Sequence, residues 1–198
     1  MNTQKLHNLF PTPLYWSSAE GFELNAILSE FETQRSTIDR GLSQVHNHGY
    51  DAPRLTDEYA QRLAHETYGL HSAQKFIDRS VKEYCGLLGY DDLPLTLRGQ
   101  WFHRNDQGQA HIWHSHPHAV ISGTLYYRVA AGDIEFRSPD PWSRANSFPN
   151  RNDYTPVIGR TPQPGDIGLW PSHIEHRVTP NTSNEPRYAM SFDYVHKD

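Results

Sequence analysis

Near residue 94 the spacing of apolar residues changes, and with it the kind of element the chain can build. Upstream they recur every three or four positions, as on one face of a helix. Phe22, Leu24, Ile27, Leu28 and Phe31 form one such face; Phe76, Ile77, Ser80, Val81, Tyr84, Cys85 and Leu88 form another. Downstream the period is two. Candidate strands cover 95–103, 110–117, 119–129, 133–137, 154–158, 166–171, 173–178 and 187–195. Eight short strands with turns between them predict a mainly β chain of the α+β kind, a jelly-roll barrel with the N-terminal helices packed outside one sheet. The 14 prolines and 13 glycines supply the turns. With 198 residues, a single domain is expected. It divides into an N-terminal strand with supporting helices (1–93) and a β-barrel core (94–198).

The N-terminal part carries further local signals. Leu9 to Trp16 reads as an edge strand, because Pro11 and Pro13 cannot donate to a ladder. The first helix is expected to be short, with residues 36 to 55 irregular. Thr56, followed by Asp57 and Glu58, suits a helix N-terminus. A break is expected near Gly69, a cap at Ser72, and a helix end at Gly86 or Gly89. Cys85 falls on an apolar helix face and reads as a small buried hydrophobe.

The last strand shows what the barrel interior must be. Tyr188, Met190, Phe192 and Tyr194 share one face and should meet the helices. Arg187, Ala189, Ser191 and Asp193 share the other and should line the interior. Polar groups facing inward are costly without partners, so this lining predicts a ligand cavity rather than a filled core.

Bulk properties narrow the function. Net charge is −5 and there is no Lys/Arg run, so no nucleic-acid partner is expected. Mean hydropathy is −0.77 and no apolar run is long enough to span a bilayer. Met1 to Tyr15 lacks the charged start and apolar stretch of a secretion signal, and the single cysteine leaves no intramolecular pair. A reducing cytoplasm is the expected location. The sequence leaves oligomeric state open, a homodimer included.

Histidine is the unusual residue. Of 13, seven lie between residues 103 and 176. His114 and His116, spaced i, i+2, reach the same side of a strand and can share one metal ion. His176, sixty residues after His116, can complete one face of its coordination sphere. Three protein donors on one face, with positions left open for substrate and O2, is the layout of non-haem iron oxygenases. His118 is the rival ligand. His111 and His173 fall on the opposite phase and read as supporting or surface residues. Arg187 follows His176 by eleven residues on the predicted interior face. A buried guanidinium needs an anion, and its planar fork suits one carboxylate. A dicarboxylate chelating the metal at one end could reach Arg187 with the other; an internal ion pair is the plainer alternative. Tyr127 is placed on the inward face with Gly123 and Leu125, its hydroxyl able to donate to the same carboxylate, and Ser191 faces the same cavity. For both, ordinary barrel packing is the competing reading. Trp101 and His103 share a face on the first barrel strand and, with His118, form the expected substrate pocket.

These residues resemble the Fe(II)/2-oxoglutarate-dependent oxygenases, and within them a bacterial and phage group with an H-x-H-P…S-G…Y-Y signature. The matching stretches are Trp101-Phe102-His103, His114-Ser115-His116-Pro117, Ser122-Gly123-Thr124-Leu125-Tyr126-Tyr127, Pro164-Gly165-Asp166, His176-Arg177-Val178 and Arg187 to Phe192. The opening Leu9-Phe10-Pro11-Thr12-Pro13 is similar too. The resemblance implies a double-stranded β-helix holding Fe(II), with Arg187 gripping the distal carboxylate of 2-oxoglutarate and Tyr127 near it. It also implies O2 and a small-molecule, amino-acid or peptide substrate, most simply hydroxylated as 2-oxoglutarate becomes succinate and CO2. The superfamily's usual first motif is H-x-D, and His116 stands where that aspartate belongs. A nearby carboxylate such as Asp106 is the alternative ligand. Histidine leaves no vacancy for a halide, so halogenation is not expected.

Two other readings compete. A cupin-type metalloenzyme would not use 2-oxoglutarate. Gly108 and the His114-Ser115-His116 run fit a cupin opening, but Val120 and Ile121 stand where its glutamate should be. A non-catalytic barrel holding a metal or a small anion would show a closed coordination sphere.

Overall fold

The computed structural model describes residues 12–45, 64–140 and 156–197. Among these, nine strands and three helices follow in the order β1 (Tyr15–Ser18), α1 (Gly21–Val45), α2 (Ala64–Tyr68), α3 (His71–Leu87), β2 (Leu95–Asn105), β3 (His111–His114), β4 (Ile121–Arg128), β5 (Ile134–Arg137), β6 (Val157–Arg160), β7 (Asp166–Pro171), β8 (His176–Val178) and β9 (Arg187–His196). They form a five-stranded sheet ordered β1-β7-β4-β9-β2 and a four-stranded sheet ordered β3-β8-β5-β6. Every pairing is antiparallel. This is the jelly-roll, double-stranded β-helix architecture, with helices on the outer face of the larger sheet.

Two apolar clusters explain the layering. The larger one joins Ile27, Phe31 and Ile38 of α1 and Phe76, Ile77 and Val81 of α3 to Phe102, Leu125, Tyr127, Met190 and Phe192 on the outer face of the large sheet. Phe31 stacks on Tyr127 with ring centroids 4.7 Å apart and also meets Tyr188 and Phe102. Full burial of a side chain of this size contributes roughly 1.5–3 kcal/mol. The smaller cluster lies between the sheets: Tyr126, Trp170 and Ala189 from the large one, Ile134 and Phe136 from the small one, and Ile174. The interior is thus filled at one place and left polar elsewhere.

Several local expectations change. Helix α1 runs to Val45, so residues 36–45 are helical rather than irregular. Its second half holds only Ile38, Leu42 and Val45 as apolar residues, which a periodicity count undervalues, yet Ile38 is fully buried and Leu42 packs against the same core. Helix α3 begins at His71, not behind a Ser72 cap. Leu70, at its N-cap, offers no side-chain bond. Glu30 of α1 fills the role, its carboxylate accepting from the Ser72 backbone N–H at 2.9 Å and from the Ser72 hydroxyl at 2.7 Å. The chain reverses through Gly69 (φ +65°) before α3 and Gly89 (φ +80°) after it. The observed edge strand is β1, on β7. The expected helix start at Thr56, the opening of the expected edge strand and residues 154–155 lie outside the described residues.

Candidate metal centre

Strands β3 and β8 bring the first two imidazoles together. His114 is the ladder partner of His176, and their ring centroids are 4.3 Å apart. His116 lies just past the end of β3, in a turn closed by its own N–H donating to the Ser172 carbonyl (2.8 Å) and by Ala119 N–H donating to the His116 carbonyl (3.1 Å). Its ring is 5.4 Å from that of His114 and 5.2 Å from that of His176. One ligand nitrogen from each of the three lies within 4.8 Å of the others.

Hydrogen bonds decide which nitrogen faces the centre. Nδ1 of His114 donates to the Ile112 carbonyl (2.8 Å), Nδ1 of His176 to the Ile174 carbonyl (3.1 Å), and Nδ1 of His116 to the Asp193 carboxylate (2.7 Å). Carbonyl and carboxylate oxygens only accept, so each proton sits on Nδ1 and each Nε2 keeps its lone pair. Burial pushes the His176 pKa down to about 3, helped by His114 beside it, and burial likewise lowers that of His114. Neutral, convergent imidazoles are the form that binds a divalent transition metal. Trp170 meets the His176 ring edge-on at 4.8 Å and, with Phe136, walls it from solvent. The donor set fits an iron ion. Asp106, the alternative ligand, is exposed in the turn after β2, where it accepts from Arg104 and from its own turn's Gln109 N–H.

Along β9 the inward residues read Asp193 at the imidazole end, then Ser191, Ala189 and Arg187. Arg187 is 3% exposed. Its Nη2 donates to the Asn105 side-chain oxygen at 3.0 Å, and among the described residues no carboxylate lies within ion-pair distance. Burial lowers its pKa, opposed by Tyr126 and Asp133 nearby. Gly132 (φ +94°) closes against it, since a Cβ there would stand 2.8 Å from Arg187 Nη1. The Ser191 hydroxyl is hydrogen-bonded to that of Thr124 at 3.0 Å.

The tyrosine assignment needs correction. Tyr127 does not face inward. It lies in the helix-side cluster, stacked on Phe31, with its hydroxyl directed at the Met190 sulfur (3.8 Å). Gly123 and Leu125 are on that side too, and a Cβ at Gly123 would sit 2.5 Å from Leu169 and Phe192, so this glycine admits the core, not a ligand. The inward residues of β4 are Ser122, Thr124 and Tyr126. The Tyr126 hydroxyl is buried without a hydrogen-bond partner among the described residues, in the electrostatic reach of Arg187. Strand β4 alternates as β9 does, with Ser122, Thr124 and Tyr126 inward and Ile121, Gly123, Leu125 and Tyr127 toward the helices, so its polar phase marks Tyr126 rather than Tyr127.

Trp101 lies opposite Ser191 in the β2–β9 ladder, its ring 5.7 Å from that of His116. His103 is half-buried beside it, its ring 6.2 Å from that of Trp101 and 4.6 Å from that of His111. His111 is therefore not on the opposite phase. The β3–β8 register shifts between His111 and His114, and this irregularity turns both inward. Ile112 is thrown outward, 71% exposed. His118 is exposed in the turn after Pro117 and stands outside the three-imidazole cluster; Arg98 donates to its carbonyl at 3.0 Å. His173 is also exposed. Sequence reading placed Asp193 on the inward face but did not see its bond to His116.

Comparison with known proteins agrees with this geometry. Residues 99–193 match the family described as "Putative 2OG-Fe(II) oxygenase". No curated protein sequence matches the chain. In solved structures, the non-heme alpha ketoglutarate dependent carbocyclase SnoK from nogalamycin biosynthesis is 13% identical with a TM-score of 0.63, over 94% of this chain and 81% of that one. A prolyl hydroxylase from Trichoplax adhaerens, in complex with a hypoxia inducible factor peptide fragment, is 14% identical with a TM-score of 0.57, over 92% of this chain and 83% of that one. An oxidoreductase of the 2OG-Fe(II) oxygenase family from Burkholderia pseudomallei is 11% identical with a TM-score of 0.47; 64% of this chain covers 57% of its length. At such identities the likeness is one of fold.

Proposed function

From the match of residues 99–193 to the 2OG-Fe(II) oxygenase family, whose cofactors are Fe(II) and 2-oxoglutarate, we propose that this protein is a 2-oxoglutarate-dependent dioxygenase that hydroxylates a small molecule, amino acid or peptide. The iron would be held by His114, His116 and His176. When bound, it supplies O2 activation coupled to decarboxylation of 2-oxoglutarate to succinate and CO2. The chain's own residues position and shield. Arg187 receives the distal carboxylate, the Tyr126 hydroxyl donates to it, and the Thr124–Ser191 pair lines the path between. Trp101 and His103 wall the substrate side. The carbocyclase and the peptide-bound hydroxylase support both substrate classes on this fold.

One observation carries the reading: a buried guanidinium, facing the same interior as three convergent imidazoles, with an amide as its hydrogen-bond partner and, among the described residues, no carboxylate within ion-pair distance. A buried guanidinium that no carboxylate pairs directly is costly, since Asp133 acts on it only from beyond ion-pair distance, and this argues for an anion arriving from outside. Anaerobic titration of the Fe(II) protein with 2-oxoglutarate should produce a weak visible charge-transfer band. A folded, iron-loaded protein with no band would instead support a cupin-type enzyme that makes no use of 2-oxoglutarate.

The tyrosine correction gives a paired prediction. Tyr126→Phe should raise the KM for 2-oxoglutarate about 10- to 150-fold, the roughly 1.5–3 kcal/mol worth of one lost hydrogen bond to a charged group. Tyr127→Phe should leave that KM within about twofold, because its hydroxyl faces the helix-side core. Steady-state kinetics with varied 2-oxoglutarate separate the two; equal effects would contradict the assignment.

A further inference from the structure

Resting on the metal-centre reading above, we propose that Asp193 is a positioning residue that delivers, through His116, the negative charge an aspartate ligand would have brought to the metal. The three imidazoles are uncharged ligands in their metal-binding form, so among the described residues the site has no charged ligand of its own. Two of them turn Nδ1 to backbone carbonyls; His116 alone turns it to a carboxylate, at 2.7 Å, the shortest of the three bonds. Donation to a carboxylate makes the far nitrogen of the ring a stronger donor, and it does so more than donation to an uncharged carbonyl. Among the described residues Asp193 has no arginine or lysine partner; His116 is the group it pairs with. Its charge is therefore spent on the ring.

The carboxylate is also held rigidly. The Ser122 hydroxyl donates to the same Asp193 Oδ1 at 2.6 Å, and Ser122 and Ser172 are hydrogen-bonded through their hydroxyls at 2.9 Å. The Ser172 carbonyl in turn accepts the His116 N–H. Ring and carboxylate are thus tied to one turn from two directions, which fixes the plane in which the His116 Nε2 lone pair points.

The test is Fe(II) affinity, measured anaerobically by calorimetry or chelator competition. Asp193→Asn keeps an oxygen that accepts from Nδ1–H and removes the charge. Its Kd for Fe(II) should rise about 10- to 100-fold. Asp166→Asn is the control: a buried interior aspartate that accepts from Trp16, Ser18 and the Gln163 N–H, away from the imidazoles. It should lower Tm but leave the Fe(II) Kd within about twofold of wild type. An Asp193→Asn Kd within twofold of wild type would overturn the inference while leaving the metal centre standing. A wild-type protein that binds no Fe(II) would overturn the metal centre itself. Should Asp193→Asn not fold, NMR of the Zn(II)-loaded wild type with 15N-labelled histidine decides the matter. Three Nδ1–H protons are expected, one well downfield of the others; three alike would refute the charged bond.

Discussion

Arg187→Ala is expected to weaken 2-oxoglutarate binding by about 30-fold to several thousand-fold, the 2–5 kcal/mol cost of truncating one partner of a buried, hydrogen-bonded charge pair. Fe(II) affinity should be nearly unchanged, because the guanidinium on β9 and the imidazoles on β3, β8 and the turn after β3 share no hydrogen bond. Arg187→Lys should recover only part of the loss: an ammonium keeps the charge but not the planar fork, and it leaves the Asn105 oxygen harder to reach. Calorimetry on the Fe(II) protein with 2-oxoglutarate gives both numbers. If the alanine variant binds 2-oxoglutarate within threefold of wild type, Arg187 is a structural residue and the proposed cosubstrate site is wrong.

His176→Ala should be the most damaging change to metal binding, raising the Fe(II) Kd by more than about 100-fold, beyond the range typical for loss of a group behind a ligand. Three features concentrate the effect there. His176 is 4% exposed, so it is the ligand best shielded from water. Its Nδ1 bond to Ile174 fixes the tautomer. Its ring packs against those of His114, Trp170 and Phe136, so its removal also leaves a gap between the sheets. Metal content after anaerobic loading, together with Tm of the metal-free protein, separates lost coordination from lost packing. A variant that retains stoichiometric, tight Fe(II) would mean that the centre lies elsewhere.

How far the sequence could be read depended on following the polar phase of each strand. Strand β9 has a helix-side face and an inward one of different chemistry, so its alternation revealed both the apolar row ending at Tyr194 and the polar row beginning at Arg187. Strand β4 carries the same signal in Ser122 and Thr124, and that phase tells its two adjacent tyrosines apart: Tyr126 shares it and Tyr127 does not. His111 was missed for another reason. A register shift in β3 breaks the two-residue phase, and no composition rule announces it. Helix α1 runs past its expected end because Ile38 and Leu42, the inward apolar residues of its second half, are a faint periodic signal. Spacing suggested three imidazoles that could meet, and the fold puts their nitrogens within reach of one ion; the bond from His116 to Asp193 crosses 77 residues and needs the fold to exist.

The carboxylate that closes the start of α3 belongs to another helix. Isolated from α1, α3 would begin with bare amide donors and fray. Its first turn is therefore secured only once Glu30 has docked. The two long helices are accordingly expected to melt and re-form as one cooperative unit, so that hydrogen exchange at the start of α3 should report the integrity of α1.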